Sequence, residues 1–243
     1  MKRILIDLMP PIVKRMLKTL LITLNIVEVP KSALPKYIDN SIGTYSQHQE
    51  DLVIDALLQS KMQGFYVDIG ANHPTVLNNT KRFYEKGWNG INVEPIRENY
   101  QMFINERERD INLNVGIGAS RGELEFYKVD KHGGVYSGFD RRNVLKYARE
   151  EEIITIKIPV FNLNDIFSEY IKDNILIDFM SIDVEGFEIE VLSGNNWSKY
   201  RPLLIVIEFG HRGKEIVDFL NNAGYSYIFN NGINGVFRDE KNA

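Results

Sequence analysis

The stretch at residues 65–72, Phe-Tyr-Val-Asp-Ile-Gly-Ala-Asn, constrains this chain more than any other. A short apolar run carrying one acid stops at a glycine and two small residues. Such a run predicts a buried strand ending in a turn whose backbone lies close to another group. When a helix follows a parallel strand of this kind, a ligand crevice forms at the strand's carboxyl end.

The chain beyond it repeats the theme. Strands are predicted at 90–94, 111–117, 179–183 and 203–208. Helices are predicted at 76–86, 97–108, 164–172 (with Asn162 or Asn164 near the cap), 185–192 and 214–222, several of them stopped by glycine. Alternating strands and helices demand an α/β fold: a doubly wound, Rossmann-like, mostly parallel sheet. Residues 225–229 and 236–237 close the domain as strands, with Asn-Gly turns expected at Asn231-Gly232 and Asn234-Gly235. Residues 122–160 interrupt the pattern. Strands at 122–129 and 153–160 flank a glycine-rich loop at 132–139 and a charged helix at 141–152. Such an insertion often carries substrate specificity.

The domain spans 46–243 and starts with a helix at 46–61. Residues 1–45 precede it as an amphipathic helix and a linker broken by Pro30, Pro35 and Gly43. Ile12, Met16, Leu20, Leu24 and Val27 fall at helical spacing, and the segment carries +3 on a chain of net charge -4. A helix at 11–29 of this type can lie on a membrane surface, pack on its own domain or form a homodimer. No secretory signal and no membrane-length run is recognised, so a cytoplasmic location is expected, with the inner face of the membrane open to the basic helix. The acidic balance, with a pI near 5.7, argues against nucleic acid as a partner. The chain has no cysteine, which excludes thiolate metal sites and cysteine nucleophiles.

Four predicted parallel strands end in carboxylates: Asp68, Glu94, Asp183 and Glu208. At one sheet edge they repel each other unless a cation, a metal or hydrogen-bond donors compensate. Glu94 ends the second strand, where an acid accepts hydrogen bonds from both ribose hydroxyls of a nucleoside. The first turn has one glycine, where a dinucleotide turn needs three, and no P-loop lysine follows. The crevice therefore suits a nucleoside with a positively charged far end, such as S-adenosyl-L-methionine, rather than a pyrophosphate.

Longer blocks sharpen this: Val67-Asp68-Ile69-Gly70-Ala71-Asn72-His73-Pro74, Gly87-Trp88-Asn89-Gly90-Ile91-Asn92-Val93-Glu94-Pro95 and, most distinctive, Ser181-Ile182-Asp183-Val184-Glu185-Gly186-Phe187-Glu188. With Ser46-Gln47, Glu50-Asp51 and Asn79-Thr80, the chain resembles the FkbM family of S-adenosylmethionine-dependent methyltransferases over about residues 46–210. The resemblance implies seven strands with the last antiparallel. It implies that Asp68, Gly70 and Ala71 meet the methionine end of the cofactor, Glu94 the ribose, and Asp183 the region of the reacting methyl. Asn72, Pro95 and Asn114 complete the expected cofactor set. The family implies O-methylation of a sugar, glycan or related metabolite. Residues 128–149 match only loosely, apart from Val135-Tyr136-Ser137.

Methyl transfer to a hydroxyl needs alignment and a base. If the strand stays extended through Val184, Asp183 and Glu185 face one side and can supply both. His211 is the alternative base; His73 and His132 are further candidates. His73, Ser137 and Glu208 are assigned to the acceptor. No metal ligand is assigned. Asp183 and Glu208 could share a magnesium ion, but the favoured reading has Glu208 cap a helix or pair with Arg212. Residues 107–110 read as a solvated helix end, and Asn78-Asn79-Thr80 as a chance glycosylation sequon. The competing functions are an NAD-dependent oxidoreductase and a non-catalytic cofactor-binding scaffold.

Overall fold

The computed structural model describes residues 43–172 and 175–242, without the side chain of residue 132. The predicted N-terminal helix, most of the linker and the side chain of His132 lie outside the described residues.

The central sheet is built on β1 (Phe65–Ile69), every residue of which is buried. β2 (Asn89–Val93) and β3 (Ile111–Leu113) extend it on one side. β7 (Phe179–Ile182), β8 (Leu204–Glu208), β10 (Asn234–Asp239) and β9 (Tyr225–Asn230) extend it on the other. The order is β3-β2-β1-β7-β8-β10-β9. Neighbours from β3 to β8 run parallel, and β10 runs antiparallel to both β8 and β9. This is the doubly wound, Rossmann-like, mostly parallel sheet that the strand pattern predicts, with the seven strands and antiparallel strand that the family resemblance implies.

The two faces of the sheet follow the two-residue period of a strand. Val67, Ile69, Ile91, Val93, Met180 and Ile182 pack under α5 (Leu163–Tyr170), α6 (Glu188–Ser193) and α7 (Gly213–Asn222). Tyr66, Phe179, Leu204 and Val206 pack under α1 (Glu50–Leu57) and α2 (Lys81–Glu85), around Trp88 and Phe83. Trp88 is a core residue, 1% exposed; its truncation to alanine would cost about 3–5 kcal/mol.

The predicted strand at 111–117 is instead two strands in two sheets. β4 (Gly116–Ile117) leaves β3 and pairs with β6 (Ile153–Phe161), which also carries β5 (Gly122–Val129). Asn114 marks the break: its Nδ2 donates to the backbone oxygens of Glu94 and Pro95, both at 2.9 Å. This bends the chain over the end of β2.

Other elements are shorter than predicted. The helix at 76–86 is only α2, because Asn78 Oδ1 accepts the backbone N–H groups of Thr80 and Lys81 and delays the helix start. The helix at 97–108 is α3 (Arg97–Glu106). The helix at 141–152 is the single turn α4 (Arg141–Val144), followed later by a 3-10 turn at Glu150–Glu152. Val144 and Ala148 are the buried apolar residues there, so a longer helix would have little face to bury. The predicted helix at 185–192 starts only at Glu188, because Glu185 (φ 56°) and Gly186 (φ 98°) turn left-handed. Gly235 sits inside β10 rather than in a turn, and a Cβ there would meet the Phe209 ring at 2.2 Å.

Residues 107–110 are also corrected. Arg107 is fully buried beside Asp110, with 3.7 Å between Nη1 and Oδ2, and it donates to Pro74 O, Asn78 Oδ1 and the Tyr66 hydroxyl. A run of alternating charges does not reveal which of its members turns inward.

Candidate active site

A cleft opens over the carboxyl ends of β1, β2 and β7. Asp68, Gly70, Ala71, Asn72, Glu94, Pro95 and Asp183 all line it. Gly70 shows why this turn needs glycine. Its φ is +79°, and a Cβ would lie 1.8 Å from the carbonyl oxygen of Asp183. The ends of β1 and β7 thus touch through backbone alone. The N–H groups of Gly70 and Ala71 both donate to Val93 O, at 3.0 and 3.1 Å, so neither is free to cradle a phosphate.

Asp68 is buried, and its Oδ2 accepts hydrogen bonds from Asn78 Nδ2 (3.2 Å) and Thr80 Oγ1 (3.1 Å). Burial pushes its pKa up to about 6, with the bond from Thr80, the charge of Arg107 and the bond from Asn78 pulling the other way. The presumed sequon is therefore internal wiring, since Asn78 is 2% exposed and holds the key acid. Arg107 braces Asn78 and Pro74 from below. Glu94 takes the backbone N–H of Asn72 on one oxygen (2.8 Å) and that of Ile96 on the other (2.6 Å). Burial still lifts its pKa to about 8. Asn114 does not line the cleft; its side chain is occupied with the backbone behind Glu94.

The second half of the site lies at the ends of β7 and β8. Asp183, Glu185 and Glu208 each present a carboxylate oxygen, all within 4.8 Å of one another. The left-handed turn at Glu185 brings them together, in place of the extended segment expected from the sequence. Glu185 and Glu208 are each pushed up to about 8, first by loss of solvent and then by neighbouring carboxylates. Asp183 is open to the cleft, yet it is pushed well above the usual carboxylate range. The cleft walls thin out bulk water around it, and Glu208, Glu188 and Asp68 add repulsion. Asn143 from α4 donates to the backbone oxygen of Glu185 (2.8 Å) and to its Oε2 (3.2 Å). Arg212 does not pair with Glu208: its partners are Glu190 and Glu215. The spacing of the three acids can admit a divalent cation, but nothing besides the acids themselves marks one.

Residues 68–227 match the Methyltransferase FkbM domain, a span that takes in both halves of the site. The chain belongs to the FkbM methyltransferase family. It is similar to the solved methyltransferase FkbM from Methylobacillus flagellatus KT, at 17% identity and a TM-score of 0.44, over 87% of this chain and 48% of that one. The chain thus spans about half the length of that protein. The sequence matches no curated protein with significance.

The remaining expected residues of this FkbM-family chain are scattered. His73 lines the cleft, but its Nδ1 accepts the N–H groups of Thr75 and Val76 and shapes the turn. Ser137 also lines the cleft, with its Oγ bound to the backbone of Val129. His211 stands on the exposed rim, its Nδ1 3.4 Å from Lys146 Nζ. Gln47, Asn79 and Asn143 went unassigned in the sequence. Gln47 and Asn79 line the cleft, and Asn79 Nδ2 donates to Ser181 Oγ at 3.0 Å. The block Ser46-Gln47 and the pair Asn79-Thr80 were the signals for two of them; Asn143 had none. Among the described residues no helix is long and apolar enough to cross a membrane.

Proposed function

We propose that this methyltransferase uses S-adenosyl-L-methionine to methylate a hydroxyl of a sugar, glycan or related metabolite. The observation that carries the reading is that Asp68, Glu94 and Asp183, the ends of three adjacent parallel strands, open into one cleft. The chemistry of these residues fits the cofactor. Asp68 has only Oδ2 engaged by Asn78 and Thr80, which leaves Oδ1 able to take an ammonium group. Glu94 is fixed by one backbone N–H on each oxygen and retains lone pairs for the two hydroxyls of a ribose. When bound, S-adenosylmethionine supplies a methyl group on a sulfonium leaving group.

The task of the chain is to align the acceptor oxygen and take its proton. Glu185 is the proposed base. It lines the cleft beside Asp183, is oriented by Asn143, and its pKa near 8 lies close to working pH. Glu208 then receives a second acceptor hydroxyl at the rim. His211 is a weaker candidate base, because Lys146 stands against its ring nitrogen.

An NAD-dependent oxidoreductase is disfavoured on two observations. No helix follows β1 directly, so no helix N-terminus faces the cleft there, and the first two N–H groups of the turn are already used. Calorimetric titration with S-adenosylhomocysteine and with NAD tests the proposal. Heat of binding is expected with the first alone; binding of NAD and not of S-adenosylhomocysteine would sink it. A metabolite and glycan profile of a deletion strain, searched for products lighter by about fourteen mass units (one methylene), tests the acceptor class.

A further inference from the structure

On two segments that touch Glu185, and outside the lining of the cleft itself, stands an aromatic pair that neither the cofactor nor the proton transfer uses. The rings of Tyr136 and Tyr147 are stacked, with centroids 4.8 Å apart and 11° between planes. Tyr147 is 54% exposed, so this stack is not part of a core. Both arms that carry it converge on Glu185. Gly138, two residues after Tyr136, packs so closely that a Cβ would meet Glu185 Cβ at 3.2 Å. Asn143, one turn before Tyr147, holds Glu185 by two hydrogen bonds. The charges of Glu185 and Glu208 also reach the Tyr147 hydroxyl and help to raise its pKa, after the loss of solvent around it.

We infer that the Tyr136–Tyr147 stack is the acceptor platform of this enzyme, and that it selects a neutral hydroxylated ring over an anionic one. The inference rests on the methyl-transfer reading and adds the residues that choose the acceptor. A flat aromatic face binds the C–H face of a saturated ring, which leaves the ring hydroxyls directed sideways. Carboxylates accept hydrogen bonds from those hydroxyls. With Asp183, Glu185 and Glu208 within 4.8 Å of one another, a phosphorylated or carboxylated ring would add charge to a site that already repels it. The ordinary role for such a stack is a staple that ties α4 to the loop at 132–139, and the experiment separates the two.

The probes are methyl glucoside, methyl mannoside and methyl rhamnoside, with glucuronate and glucose 6-phosphate as anionic counterparts. Each is followed by saturation-transfer NMR on protein saturated with S-adenosylhomocysteine. At least one neutral glycoside should show transfer and both anions none. Tyr147→Ala should weaken the neutral ring about tenfold, on the scale of a lost aromatic contact. Tyr147→Phe should retain binding, and both variants should bind S-adenosylhomocysteine as the parent does. Absence of transfer to every neutral glycoside, equal transfer to the anions, or unchanged binding by Tyr147→Ala would overturn the platform. Loss of S-adenosylhomocysteine binding in Tyr147→Ala alone would mark a staple and overturn it too. Loss of S-adenosylhomocysteine binding in the parent would instead overturn the methyl-transfer reading.

Discussion

Two groups of carboxylates stand at this cleft, Glu208 beside its lining rather than in it, and the protein treats them differently. At the ends of β1 and β2, each acid has donors built around it. Asp68 has Asn78 and Thr80; Glu94 has two backbone N–H groups; Asp110 below them has the Tyr66 hydroxyl, Asn92 Nδ2 and Gly90 N–H, with Arg107 alongside. At the ends of β7 and β8, three acids face one another, and among the described residues Asn143 donates a hydrogen bond to the Glu185 side chain. The first group is pre-organised and keeps its geometry whatever enters. The second holds stored repulsion, which a hydroxyl, a proton or a cation relieves. Binding suits the first arrangement and proton transfer the second.

The sharpest way to break this contrast is to remove its anchor. Asp68→Ala should weaken S-adenosylhomocysteine more than about thousandfold, beyond calorimetric detection, because it leaves an ammonium group unpaired in a buried site. Unchanged affinity would mean that the donors around Asp68 serve the fold alone. Next comes Glu185→Gln, which should lower kcat about a hundredfold or more while S-adenosylhomocysteine affinity stays within about twofold. Equal losses in both would show that the two groups are not separable.

A smaller effect lies in stability. Glu185 and Glu208 have folded-state pKa values near 8, above the ordinary 4.5 of a free glutamate. Between these values the unfolded chain holds fewer protons than the native one. Stability therefore falls as pH rises from about 4.5 to about 8 and then levels off. Melting curves from pH 5.5 to 8.5 should show Tm declining, and Glu208→Gln should flatten the decline and recover about 2–4 °C at the alkaline end. A steeper decline in the variant would contradict the repulsion. Turnover should move the opposite way, rising towards pH 8 as the base ionises. The smallest expected effect is that of chelation: dialysis against EDTA should leave kcat unchanged and shift Tm by less than about 1 °C. A larger loss, restored by magnesium, would show that a cation relieves the second group.

The same contrast explains what the sequence made legible. Strand-end acids were readable because apolar runs announce β1, β2, β7 and β8, and an acid closing such a run has few other places to be. The donors around them were not. Asn78 and Thr80 sit in a stretch whose spacing passes for a helix, and Arg107 hides in a charge run of surface type. Burial of Arg107 and Asp110 among the four charges depends on the fold around them, here the loop at Pro74 and the Tyr66 hydroxyl. The two-residue spacing of Asp183 and Glu185 suggested their proximity, but a left-handed turn rather than an extended strand aims Glu185. The insertion was recognised as irregular, yet the contact between Tyr136 and Tyr147 spans two segments with no shared pattern.

One tie bears on the order in which the fold closes. Glu50, at the head of α1, accepts hydrogen bonds from Asn231 and Asn234 in the last hairpin, at 2.6 and 2.7 Å. That helix secures the turn carrying Gln47 at the cleft, since Asp51 binds Thr44 and the backbone of Tyr45. The front wall of the cleft is thus fastened by residues 181 and 184 positions further along the chain. Contacts of such long separation form late in folding, so the mouth of the cleft closes only after the central strands have assembled.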